Sequence, residues 1–170
     1  ENFQKKLWLK KKFVVETNWC ITLDRIPEEY YDEIRQNKEQ VQEWIDMYAI
    51  DEIQQDLEHT EPFTPVPSVL FLKQNQNLIV DTKHFSEEFK NKLLAEFDDL
   101  DKETGGLMIN SENFQALNLL QKRFSGKINC TYIDPPYNAS SSEILYKNTF
   151  KHSSWMSLMN DRLRLGKKML

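Results

Sequence analysis

Ile128-Asn129-Cys130-Thr131-Tyr132-Ile133-Asp134-Pro135-Pro136-Tyr137 is the stretch that sets the fold class. Its first six residues are rich in β-branched and aromatic side chains and read as a strand, and the two prolines stop it. Upstream, Leu107-Met108-Ile109 is a short apolar run. After it, Ser111 can cap a helix carrying Phe114, Leu117, Leu119, Leu120 and Phe124, which Gly126 ends. A strand-helix-strand unit of this kind is a right-handed crossover between parallel strands, in a sheet covered by helices on both faces. Downstream, Ser153 or Ser154 opens a last helix, residues 154–170, expected to bury Trp155, Leu158, Met159, Leu163 and Leu165. From about residue 105 onward the expectation is therefore an α/β core.

Ahead of that core the pattern is mainly helical. Phe3, Leu7, Trp8, Phe13 and Val14 fall near helical spacing among five lysines. An acidic helical region over residues 28–53 carries Tyr30, Ile34, Val41, Trp44, Ile45 and Tyr48, with Pro27 suited to its first turn. Between the two, Cys20-Ile21-Thr22-Leu23 reads equally as a short strand or a turn. Pro62, Pro65 and Pro67 leave little periodicity, so residues 58–68 are expected to be a linker that separates a helical region, 1–57, from a connecting segment, 69–104. In that segment Leu78-Ile79-Val80 reads as a strand ending at Asp81. Ser86 before Glu87 and Glu88 reads as a helix cap, and Gly105-Gly106 marks a second break before 105–170.

The net charge of -5 argues against the chain as a whole being a large phosphate-neutralising surface. Two cysteines, Cys20 and Cys130, stand far apart and in no metal-ligand spacing. They are expected to be small buried side chains in a reducing compartment. His59, His84 and His152 show no ligand spacing either, so no metal site is expected and hydrogen-bonded or surface histidines are. No apolar run approaches a membrane span, which points to a cytoplasmic protein. Glu1 in place of Met, and Leu170 inside an amphipathic run without a stop, point to an internal piece of a longer chain.

The loop after Ile133 carries the chemistry. Ligands in open parallel sheets bind beyond the carboxyl ends of strands. Two prolines fix the backbone and remove two N–H donors, leaving a stiff segment that offers carbonyl oxygens. Asp134 adds an ionised acceptor, and Tyr137 adds a flat ring able to stack on a planar ligand. An exocyclic amine on a nucleobase is a poor nucleophile, because its lone pair is delocalised into the ring. Acceptors at Asp134 and at the Pro135 carbonyl would hold its two N–H groups and aim the lone pair at an electrophilic methyl. Such a base must leave its stack, and an aromatic face compensates for the stacking lost.

Asp134-Pro135-Pro136-Tyr137 is similar to the catalytic motif of amino-methyltransferases that use S-adenosylmethionine, and an Asp in first position resembles the adenine-N6 form. The flanking runs Ile109-Asn110-Ser111-Glu112-Asn113-Phe114, Tyr146-Lys147-Asn148, His152-Ser153-Ser154-Trp155 and Asp161-Arg162-Leu163 resemble the methylation (Mod) subunits of type III restriction-modification systems. So does Asn18-Trp19-Cys20-Ile21-Thr22-Leu23-Asp24. The resemblance implies an incomplete Rossmann-like methyltransferase core, S-adenosylmethionine as cofactor and double-stranded DNA as substrate, and it admits a restriction subunit and a homodimer as further partners. The family's glycine-rich cofactor loop follows the catalytic loop, and none of Gly105, Gly106, Gly126 and Gly166 makes a Gly-x-Gly. Where the family has Gly-Asp-Asn this chain has Ser111-Glu112-Asn113. Glu112 and Asn113 therefore have two equal readings, as contacts of the cofactor's adenosyl end or as a plain helix start.

Two other classes compete. Methyl transfer to cytosine N4, RNA or a protein amide is disfavoured by Asp134, where those enzymes more often have Ser or Asn. A non-catalytic helical module binding a partner through residues 1–68 would leave the tetrapeptide inert. Trp155 and Tyr146 read as core before they read as base-pocket walls, and Arg162, Arg164, Lys167 and Lys168 read as a solvated helix face before they read as phosphate contacts.

Overall fold

The computed structural model describes residues 16–53, 61–135 and 152–170. It divides into two compact units, Glu16–Gly105 and a second that contains Gly106–Leu170. The lysine-rich segment 2–15, His59, Pro136, Tyr137 and Tyr146 lie outside the described residues.

In the first unit the undecided segment is a strand, β1 (Cys20–Thr22), antiparallel to β2 (Ile79–Asp81) with Ile21 opposite Val80. Alternation explains the faces: Ile21 and Val80 are buried, while Cys20 points outward. The ladder is extended at both ends, by Trp19 N to Thr82 Oγ1 (2.8 Å) and Leu23 N to Leu78 O (3.0 Å). The acidic helical region is broken into a 3-10 turn, Glu28–Tyr30, then α1 (Tyr31–Gln36) and α2 (Lys38–Tyr48). Asn37 makes the break, because its side chain accepts from Glu39 N and Gln40 N and so starts a new helix.

A two-stranded sheet has an outer edge whose polar groups need partners. Here α2 supplies them. Gln40, fully buried, accepts from Asp81 N at 2.7 Å and donates to Ile79 O at 3.2 Å, and Trp44 Nε1 donates to the same carbonyl at 2.5 Å. Gln40 thus does the work of a third strand.

The expected linker does not separate two cores. Val69–Gln74 is a helix, α3, capped by Ser68, whose hydroxyl accepts from Phe71 N at 2.9 Å. Phe71 and Leu72 are fully buried in one cluster with Leu23, Ile34, Trp44 and Ile50 from before the prolines. Pro67 is itself fully buried, and Phe63 packs edge-on to Phe71. Prolines barred a helix but not burial, since they lack N–H groups that would need partners. α4 (Glu87–Leu94) closes the cluster with Phe89 and Leu93, under the Ser86 cap expected from sequence. A short α5 (Leu100–Glu103) follows, anchored by the pairing of Arg25 with Glu103.

α2 ends at Ala49, whose backbone is left-handed at φ 49° and whose side chain is exposed. A Cβ is disfavoured there, and glycine is the usual occupant. Ala49→Gly is expected to raise stability by about 0.5–1 kcal/mol, read as a higher urea midpoint. An unchanged midpoint would contradict the assignment of strain.

In the second unit, α6 (Asn113–Phe124) and α7 (His152–Met169) pack side by side. Gly126, at φ 65°, turns the chain after α6. Residues 107–109 and 128–133, expected to be parallel strands, belong to no sheet among the described residues. Met108 and Tyr132 are almost fully exposed, at 96% and 92%. An extended segment becomes a strand only when a neighbour takes up its N–H and C=O groups, and the described residues offer none. The second unit is accordingly thin: α6 has no buried residue, Leu163 on α7 is exposed instead of buried, and Met169 alone among the unit's described side chains is buried.

Candidate functional site

Asp134 is exposed and Pro135 half-buried at the end of the extended run from Ile128. The run starts from a fixed point, since Lys127 N and Ile128 N donate to the Met169 carbonyl at the end of α7, at 3.0 and 2.9 Å. The other half of the tetrapeptide, Pro136 and Tyr137, is outside the described residues. No hydrogen bond or ion pair joins Asp134 to Glu112 or Asn113 among the described residues.

Glu112, not Ser111, caps α6: its Oε2 accepts from Gln115 N at 3.2 Å. Its Oε1 accepts from Arg162 Nη2 of α7 at 2.5 Å, and Arg162 Nη1 donates to Leu158 O at 3.1 Å. Arg162 is thus a half-buried partner of Glu112, where a solvated helix face was expected. Partial burial acts to raise the Glu112 pKa. The Phe114 N–H, the Arg162 guanidinium and the Gln115 N–H together outweigh it, and the carboxyl sits below its ordinary value of 4.5. A depressed carboxylate pKa stabilises the fold above that ordinary value, and the contribution is lost as pH falls through the folded pKa. The α6–α7 pair is therefore expected to loosen on acidification below about pH 4.5, seen as falling helical circular dichroism. Glu112→Gln should remove that titration step, and its persistence in the variant would assign it elsewhere.

The cap reading of Glu112 does not exhaust the side chain. A carboxylate has about four acceptor positions, three donors already face it, and the side chain remains 43% exposed at a helix N-terminus. Acceptor capacity of that kind fits a ribose hydroxyl of an adenosyl group.

Elsewhere, Cys20 and Cys130 are exposed free thiols, contrary to the expected burial. Cys20 takes the outward position of β1, and partial burial with the nearby Asp81 and Glu43 carboxylates pushes its thiol pKa up, away from the reactive thiolate. His84 lies between Glu43 (Nε2 to Oε2, 3.0 Å) and Glu39 (Nδ1 to Oε2, 3.5 Å), tying the turn after β2 to α2. No cluster of His, Cys, Asp and Glu suited to a metal occurs among the described residues, and no described helix is long and apolar enough to cross a membrane.

The chain is similar to two Mod subunits of type III restriction-modification enzymes. It is 42% identical over 64 residues, 38% of its length, to the probable HindVI Mod subunit of Haemophilus influenzae. To the StyLTI Mod subunit of Salmonella typhimurium it is 27% identical over an alignment of 97 positions that covers 41% of the chain. It spans only 9% and 15% of those proteins' lengths. No family model and no solved structure matches.

Proposed function

Because part of the chain is similar to Mod subunits of type III restriction-modification enzymes, we propose that the protein to which it belongs methylates adenine N6 in duplex DNA. The observation that carries this reading is the Asp134-Pro135 corner, an exposed carboxylate followed directly by the carbonyl of a proline. The site stands in a loop whose origin is pinned to the end of α7. In the proposed fold, residues 107–109 and 128–133 are neighbouring strands of a Rossmann-like sheet, each requiring a partner strand.

S-adenosylmethionine, when bound, supplies the electrophilic methyl group. Asp134 accepts one N–H of the adenine amine and the Pro135 carbonyl accepts the other, which frees the nitrogen lone pair from the ring and orients it. Tyr137 stacks on the extruded base and offsets its lost stacking, an effect of about 1–3 kcal/mol per base in single-strand binders. Glu112 offers its remaining acceptor capacity to a ribose hydroxyl, and Arg162 keeps that carboxylate ionised and in place.

The test is transfer of labelled methyl from S-adenosylmethionine to duplex DNA by the full-length protein, with the product nucleoside identified by mass spectrometry. N6-methyladenine is the expected product. N4-methylcytosine would move the protein to the sister class of amino-methyltransferases, and transfer to RNA or protein alone would overturn the reading.

A further inference from the structure

We propose that the shared C-terminal end of α6 and α7 is a docking surface for the phosphate backbone of duplex DNA, an inference that rests on the DNA-modifying role above. The overall charge of -5 conceals a sharp division at the boundary between the two units. Residues 16–105 carry 22 acidic and 8 basic side chains, whereas residues 106–170 carry 4 acidic and 9 basic. Six of those nine, Lys122, Arg123, Lys127, Arg164, Lys167 and Lys168, are exposed and lie at or within two turns of the helix ends.

The structure brings the two ends together. Ser125 Oγ and Gly126 N both donate to Lys168 O at 3.1 Å, Lys127 N donates to Met169 O at 3.0 Å, and Gln121 Nε2 donates to Leu165 O at 2.9 Å. One half of the cluster is separated from the other by 37 or more positions in sequence, from Lys127 to Arg164, and these bonds make them one surface. Only Glu112, Asp134 and Asp161 are acidic among the unit's described residues, and Glu112 is already paired with Arg162.

Basic residues in the last turn of a helix interact favourably with its dipole, by about 0.3–1 kcal/mol each. That accounts for one or two cations per helix. Here the terminal carbonyls of Lys168 and Met169 already accept from Ser125, Gly126, Lys127 and Ile128, so lysine side chains are not needed as caps. Gathering cations at one end instead sets like charges against each other. A duplex carries one negative charge per ~1.7 Å of axis, and docking on it relieves that repulsion while releasing counterions.

The test is binding of an unspecific duplex of about 30 base pairs to the 170-residue chain, by fluorescence anisotropy over about 50–200 mM salt. Substituting Lys122, Lys127, Lys167 and Lys168 by Gln should lower affinity about tenfold or more and flatten the slope of log K against log salt by about 3 to 4, at ~0.9 per phosphate contact. The same four positions changed to Arg should retain binding, which separates loss of charge from loss of fold. Equal removal of charge at Lys38, Lys73, Lys92 and Lys102 in the acidic unit should leave the slope unchanged. An unaltered slope in the first variant, or no binding by the unsubstituted chain at the lowest salt, overturns the docking surface. Methyl transfer by the full-length protein is read separately, so the surface and the proposed activity can fail independently.

Discussion

Asp134→Ala in the full-length protein is expected to cut methyl transfer to DNA on the order of 100- to 1,000-fold, the usual cost of deleting one preorganised polar group that acts on the reacting atom. The amine loses one of its two acceptors, so its lone pair stays conjugated with the ring. Asp134 is exposed, and no bond to Glu112 or Asn113 depends on it, so stability should change by no more than about 0.5 kcal/mol. Asp134→Asn keeps a neutral acceptor oxygen and should fall between wild type and alanine. Initial rates with labelled cofactor, set beside urea unfolding of the same samples, decide the matter. Near wild-type transfer by the alanine variant would show that the tetrapeptide is not the acceptor site.

Trp44→Ala is expected to destabilise the unit formed by Glu16–Gly105 by about 3–5 kcal/mol, a large part of the ~5–15 kcal/mol that holds a typical domain together. Trp44 is fully buried at the centre of the cluster and touches the sheet through its Nε1 bond to Ile79 O. That carbonyl keeps its bond from Gln40 in the variant, so the cost comes mainly from the cavity. Trp44→Phe keeps most of the volume and loses only the indole N–H, which should cost about 0.5–1.5 kcal/mol plus a smaller packing loss. Far-UV circular dichroism through a denaturant titration of the 170-residue chain measures both. A loss below about 1 kcal/mol for alanine would mean that the cluster is not the stabilising core.

Some of the structure was plain from local pattern. Ser86 capping α4, β2 at Ile79–Asp81, α6, and α7 to within two residues at its start all depend on contacts a few residues apart, where propensity and capping act. Glu112 as a cap was one of two equal readings for the same reason. Other features hid because their cause lies far along the chain. Gln40 has no local reason to be buried, and becomes the edge partner of β2 across 41 residues. Arg162 reads as a surface charge until Glu112, 50 residues away, is placed beside it. Val69–Gln74 is too short and apolar to tell helix from strand, and Ser68 with the packing of Phe71 settles it.

By itself the sequence determined that Pro135 and Pro136 restrict the backbone dihedrals and remove two N–H donors, because proline chemistry holds in any surroundings. It also determined the periodicity of the long helices. Only the tertiary structure decided that the proline stretch joins one core and that the cations of α6 and α7 meet at one end. It likewise left residues 107–109 and 128–133 without ladder partners among the described residues. Strand pairing and charge proximity are relations between distant segments, and their free energy exists only once those segments have met.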